Sequence, residues 1–413
     1  MRLPAPAPRP EMPRILVLGG SLGGLLAANI LVRDGHQVKV IEKATSSLDG
    51  RGAGIVTHEA LFAGLRRAGV TVDASLGVEV TSRVALDADG KVVATLPVTQ
   101  ILSSWSRLYQ LLRDALPDAC LVAGVNARSV TESATGVTLY CDGGREFDAD
   151  LLVASDGLRS VVRAQFAPEA VPEYAGYVGW RGVCDEAVLS QATMGSVFDC
   201  FGFGLPPGEQ LIGYPVAGAG NATVRGRRRF NFVWYRPAAT PAELALLLTD
   251  ADGVHHPLGI PPNKVAWRQI AAMRAAARSL LAPQFAEIIE KTAQPFLQPI
   301  FDVNSSQIAF GRVLLMGDAA FVARPHVGMG VTKAAEDAMA LADCIGRLGA
   351  GTAAGLAYQA LRLAPGRAVV QRARLLGNYL QSQGSPHVIR RDIDEVLRET
   401  AIDLAQRDAL ALH

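Results

Sequence analysis

Residues 14–42 read RILVLGGSLGGLLAANILVRDGHQVKVIE, and the parsing of this stretch decides the fold. The apolar run Ile15 to Leu18 has the length of a buried strand and runs into glycines. A helix is expected from about Gly23 to Arg33, Gly35 stops it, and Val38 to Glu42 forms a second strand. Strand, helix and strand in this order begin an open parallel sheet. Gly19 takes the tight turn and Gly24 lies where helix meets strand, with Ser21 where a dinucleotide loop usually has its second glycine. Serine is small enough to let a pyrophosphate reach the backbone, and its hydroxyl can donate to a phosphate. Glu42 follows Gly19 by 23 residues and ends the second strand, where a carboxylate accepts from both ribose hydroxyls and disfavours a 2′-phosphate. The ligand expected here is an adenosine diphosphate without that phosphate, FAD or NAD.

The rest of the chain limits what can surround that loop. With 413 residues, 49% of them hydrophobic and 19% charged, it is globular and has core enough for two domains. A net charge of +1 argues against a nucleic-acid partner, which needs a clustered basic face. The densest basic cluster, Arg225, Arg227, Arg228 and Arg229, precedes the apolar strand Phe230 to Tyr235 and reads as a solvated hairpin rim. Cys120, Cys141, Cys184, Cys200 and Cys344 are scattered and form no CxxC pair, which suits free thiols in a reducing cytoplasm. His255 and His256 point in different directions as chain neighbours and lack a third ligand nearby, so no metal is expected. The alternating prolines of residues 1–13 read as a mobile arm and not as a secretory leader. The apolar run Leu25 to Val32 is too short to cross a membrane.

Beyond the first unit come a glycine-rich loop, Gly50 to Gly54, and an amphipathic helix from about His58 to Ala68. Alternating strands run through Val98, followed by a helix from about Ser106 to Ala115. Two strand-like stretches, Ala127 to Tyr140 and Arg145 to Val153, join through Asp142-Gly143-Gly144 and lead into Ala154-Ser155-Asp156-Gly157. After about Pro172 aromatic residues gather on short strands cut by Gly and Pro, which reads as a separate antiparallel sheet, and residues 241–292 read as mostly helical. Near Pro299 the chain returns to the first domain for its last strand, Arg312 to Met316. The expected architecture is α/β. A discontinuous Rossmann-like FAD-binding domain takes residues 14–172 and 298–352, and an antiparallel-sheet substrate domain is inserted at 173–297. C-terminal helices over 353–413, one of them from about Val388 to Leu410, are free to pack on the body or on a second copy in a homodimer.

Residues 311–338, GRVLLMGDAAFVARPHVGMGVTKAAEDA, separate FAD from NAD. A buried strand runs into Gly317-Asp318, a proline turn follows, and a helix starts near Gly328. An aspartate on such a loop accepts from ribityl hydroxyls, and the positive end of the helix faces a ring edge that becomes anionic on reduction. NAD has no ribityl chain, so FAD is the expected cofactor.

These two loops, with DLLVASDGLRSVVR at 150–163 and YAGYVGWRGV at 174–183, resemble the single-component FAD-dependent aromatic hydroxylases of the para-hydroxybenzoate hydroxylase type. The last segment, with Phe230 to Tyr235, is most similar to the branch acting on dihydroxypyridines in pyridine degradation. The resemblance implies a monooxygenase that uses NADH or NADPH and O2. It would form a flavin C4a-hydroperoxide and hydroxylate a small electron-rich aromatic or dihydroxypyridine-like ring. By motif it implies that Asp156 and Gly157 touch FAD, that Arg107 reaches the pyrophosphate, and that Pro325, Gly328, Gly330 and Val331 flank the ring. Gly19, Ser21, Leu22, Gly24, Glu42 and Lys43 complete the nucleotide end, and Asp318 the ribityl chain. Phe321 stands where the family has histidine, and Thr332 where it has asparagine. The nearest rival within enzymes is a flavin dehydrogenase or reductase on the same fold, and these departures leave open a non-catalytic FAD-binding protein.

Hydroxylation requires that water be kept out and that the ring be made more nucleophilic, by a base or a donor at its oxyanion. His326, in the loop expected beside the ring, is the first candidate because imidazole titrates near working pH. Tyr214, His58 and Arg181 follow it. Lys333 reads as a helix-surface lysine.

Overall fold

The computed structural model describes residues 12–46, 54–381 and 391–402. The arm up to residue 11, most of the 50–54 loop and both ends of the expected last helix lie outside these ranges.

Strands that are apolar on both faces need cover on both, and a parallel sheet provides it. Arg14–Leu18, Leu151–Ala154 and Val313–Leu315 are such strands, and they lie side by side. The sheet has six strands in the order Ala309–Phe310, Val313–Leu315, Leu151–Ala154, Arg14–Leu18, Gln37–Glu42, Leu121–Ala123. All neighbours are parallel except the first pair. Helices Leu22–Arg33, Glu59–Arg67 and Gly330–Leu348 pack together in the same core. The stretch read as one strand from Ala127 to Tyr140 is a hairpin, Ala127–Glu132 and Val137–Cys141. Ser133 makes the turn, its hydroxyl oxygen accepting from the N–H of Gly136 at 3.1 Å.

The second sheet departs from expectation. It has nine strands in the order Phe321–Val322, Phe296–Asn304, Glu173–Asp185, Arg229–Pro237, Gln210–Val216, Phe201–Gly204, Val78–Leu86, Val92–Ser104, Gly54–Val56. It is therefore not separate: strands from the first hundred residues continue it through a parallel pairing of Phe201–Gly204 with Val78–Leu86. Alternation identified strands running through Val98, but alternation does not say which edge a strand joins.

Side chains alternate across this sheet. Val178, Trp180, Leu211, Phe230, Phe232 and Trp234 pack with helices Trp267–Leu280 and Pro283–Lys291, while Tyr177, Ile212, Tyr214, Val233 and Tyr235 face the other way. Between helices Pro241–Leu247 and Trp267–Leu280 the chain is irregular and proline-rich. The basic cluster is also more than a rim. Arg228 is buried and its Nη2 donates to Glu186 Oε1 at 2.7 Å, whereas Arg225 and Arg229 pair with Asp199 and Asp185 nearer solvent. The five cysteines are free. No helix among the described residues is long and apolar enough to cross a membrane.

Candidate active site

The three central parallel strands end level, with Leu18, Ala154 and Leu315 in register, so the loops that follow lie side by side. Ser155 N donates to Leu18 O at 2.8 Å and Met316 N to Ala154 O at 2.9 Å. The packing leaves no room for side chains. A Cβ on Gly19 would stand 2.4 Å from Ser155 O, and one on Gly24 only 1.9 Å from Gly19 O. Gly19 also has φ of +105°, which favours glycine. Helix Leu22–Arg33 starts at Ser21 and helix Gly330–Leu348 at Met329, neither with a side-chain cap. Their first-turn N–H groups are left for a ligand.

Glu42 closes the nucleotide end, accepting from Gly20 N at 2.7 Å and Ala44 N at 2.8 Å. Lys43 beside it is exposed. Asp156 accepts from Val161 N at 2.8 Å, and burial holds its carboxyl above the usual range against the pull of Ser160, Val161 and Arg163. Asp318 is exposed to the cavity, yet the protein around it raises its carboxyl by desolvation, with Lys333 opposing. Lys333 is not on the helix surface. It is buried, its Nζ 3.9 Å from Asp337 Oδ2, and that oxygen accepts from Gly317 N at 3.1 Å. Its position, three residues into the helix, turns it under the Gly317-Asp318 loop.

Arg163 was given no role from the sequence, although it lies in a quoted motif. Its guanidinium is buried and donates to Ala170 O at 2.9 Å, Ala319 O at 3.1 Å, Gly157 O at 3.4 Å and also Leu158 O. It fastens the loop after strand Leu151–Ala154 to the Gly317-Asp318 loop. Arg107 donates to the carbonyl and hydroxyl of Ser75 at 3.2 and 2.8 Å and does not line the cavity.

A cavity of about 430 Å³ lies between these loops and the nine-stranded sheet, a size suited to a small ligand. Ser21, Leu22, Gly157, Asp318, Pro325, Gly328, Gly330 and Val331 line it from the loop side, with Gly19, Gly24, Glu42 and Asp156 outside the lining. From the sheet come Arg181, Tyr214, Asn231 and Tyr235, brought to one face by the period of two. Arg181 Nε is buried with no hydrogen-bond partner among the described residues. Burial raises the hydroxyl of Tyr214 beyond its ordinary range and that of Tyr235 to about 12, with Arg181 pulling both back.

Of the four catalytic candidates, Arg181 and Tyr214 face the cavity, whereas His326 and His58 do not. The short turn Pro325–Val327 directs His326 away from it. Its Nε2 is 2.9 Å from Tyr177 Oη and its ring lies 4.2 Å from that of Tyr235, which is on the cavity wall. Burial and the cations Arg391, Arg324 and Arg181 hold the imidazole well below its ordinary range. It is neutral, and Tyr235 stands on the wall in front of it. His58 Nδ1 is 2.9 Å from Thr332 Oγ1, so the threonine that departs from the family pattern joins two helices. Asn231 and Tyr235 were missed. Their parity with Val233 on the strand Arg229–Pro237 was a usable signal, once either face was known. His256 pairs with Asp250 at 2.9 Å, and no cluster suited to a metal occurs among the described residues.

FAD fits these residues. Two uncapped helix starts open on one cavity, carboxylates stand at Glu42 and Asp318, and a Cβ on Gly157 or Gly330 would meet nothing within 4 Å. The chain matches the family model described as FAD binding domain at residues 12–209 and 269–373, and one described as FAD binding domain-like at 174–302. It belongs to this FAD-binding family. It is 31% identical to 2,6-dihydroxypyridine 3-monooxygenase of Paenarthrobacter nicotinovorans, over 91% of this chain and 94% of that protein. It is also 31% identical to aurachin C monooxygenase/isomerase of Stigmatella aurantiaca, over 84% and 85%. The solved 2,6-dihydroxypyridine-3-hydroxylase of Arthrobacter nicotinovorans superposes with a TM-score of 0.85 at 29% identity, covering 93% of this chain and all of that one. Klebsiella pneumoniae HpxO with FAD and uric acid shares the fold, with a TM-score of 0.75 at 21% identity over 97% of each chain. The chain is thus a flavoprotein monooxygenase of the aromatic and heteroaromatic hydroxylase kind, with FAD as cofactor and NAD(P)H and O2 as co-substrates.

Proposed function

We propose that this enzyme hydroxylates a small, electron-rich nitrogen heteroaromatic ring of the dihydroxypyridine type. The observation that carries this reading is the cavity itself: one wall is built from dinucleotide loops, the other from an aromatic sheet with the unpartnered Nε of Arg181 in it. FAD, when bound, would take the reducing equivalents from NAD(P)H and activate O2 with them. The residues do the rest.

The helix start at Ser21 and Leu22 holds the pyrophosphate, Glu42 the adenosine ribose and Asp318 the ribityl chain. Pro325, Gly328, Gly330 and Val331 seat the ring. Arg181 holds the substrate as an oxyanion, which raises the nucleophilicity of the neighbouring ring carbon. Tyr214 and Tyr235 stay protonated and donate, since burial keeps their hydroxyls from ionising. The aromatic face keeps water from the reacting atoms. Arg107 donates to Ser75 and remains the motif's candidate for the pyrophosphate. We assign the domains at the boundaries expected from the sequence, except that residues 54–104, 298–304 and 321–322 contribute strands to the substrate sheet.

The free thiols support a cytoplasmic location. Exposed Leu356, Leu361 and Leu375 on helix Thr352–Gly377 support a homodimer, which sedimentation tests. A panel of dihydroxypyridines, hydroxynicotinates and hydroxybenzoates, scored by NADH consumption and product mass, tests the substrate. One hydroxylated dihydroxypyridine per NADH is expected. Substrate-independent NADH oxidation across the panel would leave a flavin reductase.

A further inference from the structure

Residues 391–402 come from the far end of the described chain and yet reach the cavity, where Ala401 forms part of the lining. Ala401 has φ of +54°, a conformation that alanine rarely takes. Several contacts hold it there. Its N–H donates to His326 O at 2.7 Å, and its Cβ stands where a Cβ on Gly328 would come within 2.9 Å. Its carbonyl accepts from Arg83 Nη2 at 3.1 Å, while Arg83 Nη1 donates to Leu397 O at 2.9 Å and Thr400 O at 2.6 Å.

Arg83 is fully buried on the strand Val78–Leu86 and has no ion pair with a carboxylate among the described residues. Its guanidinium lies 4.9 Å from the ring of Phe201, another wall of the cavity. Desolvation brings its pKa down to about 9. A buried cation without a counter-ion needs fixed acceptors, and the carbonyls at the end of helix Ile393–Glu399 are such acceptors, at the negative end of the helix. At the other end of the segment Arg391 lies 3.7 Å over the ring of Tyr379, and Asp392 caps the helix. Val396 and Leu397 pack in one core with Tyr177, Tyr214 and Tyr235.

We propose that residues 391–402 form a strap that completes the substrate end of the cavity, with Ala401 as a specificity-determining position and Arg83 as the positioning residue that holds it. The inference rests on the substrate chamber proposed above. A side chain larger than methyl at 401 extends from the cavity wall beside Gly328, so its size limits the ring that fits.

The test uses FAD-loaded wild type, Ala401→Gly, Ala401→Leu and Arg83→Lys, with KM and kcat for a dihydroxypyridine and for the bulkier hydroxynicotinate. Flavin content and melting temperature are recorded for each. Ala401→Leu is expected to raise KM for the bulkier ring about tenfold more than for the smaller one, with flavin content unchanged, and Ala401→Gly to move the ratio the other way. Arg83→Lys is expected to raise KM for both rings with little change in kcat, a split that general loosening does not produce. A KM ratio unchanged in both Ala401 variants overturns the proposal, even if Arg83→Lys fails to fold. Should wild type turn over no ring, the substrate reading fails by itself. Dissociation constants of the same two rings, read from the flavin absorbance, then decide the strap by the same ratio.

Discussion

Arg181 sits between Trp180 and Gly182 on a strand whose Val178, Trp180 and Cys184 pack with the helices, while Arg181 on the opposite face lines the cavity. From sequence it ranked below His326, because a histidine in a loop next to glycines draws attention and strand parity is silent until one face is assigned. Arg181→Met is expected to lower kcat/KM about a hundredfold or more by removing the donor to the oxyanion, with flavin content unchanged. Steady-state kinetics on flavin-replete protein checks this. His326 predicts a different outcome. Its folded pKa lies below the unfolded value of about 6.5, so the unfolded chain takes up the proton first. Stability from this residue is intact above about pH 6.5 and is lost as pH falls below it, by at most about 1.4 kcal/mol per pH unit. In His326→Asn the dependence of the urea midpoint on pH between 6.5 and 5 should be flatter than in wild type. Parallel curves would mean that the imidazole is not buried in its neutral form.

At the scale of elements, what was legible had local causes. The β-α-β start, the helix from residue 59 and the last parallel strand follow from periodicity and glycine stops, and each forms within one residue of its expected bounds. The nine-stranded sheet was not legible as one body, because the pairing of Phe201–Gly204 with Val78–Leu86 joins segments over a hundred residues apart. Arg163 likewise gains its role only when two distant loops meet. Arg163→Met should strip both loops of their shared donor, weakening FAD binding and lowering stability by about 2–4 kcal/mol. Flavin retention on gel filtration and a denaturant titration measure the two effects. Arg228→Met leaves Glu186 buried without its partner, which should cost about 3–5 kcal/mol while flavin binding persists. A midpoint unchanged from wild type would show that the pair is solvated.

For the whole molecule, two sheets meet across one cavity: in the function proposed above, the parallel sheet holds FAD at the C-terminal ends of its strands, and the larger sheet presents the substrate to it. The nucleotide loops announced the first half in the sequence, since phosphate binding demands glycine at fixed spacing. The second half was hidden, because the cavity wall draws single residues from several strands and from the C-terminal strap. The most direct measurement is the product formed from a dihydroxypyridine by the FAD-loaded protein with NADH under isotopically heavy O2. The account predicts one heavy oxygen atom in the ring for each NADH consumed. NADH oxidised with no heavy oxygen in any ring product would contradict it.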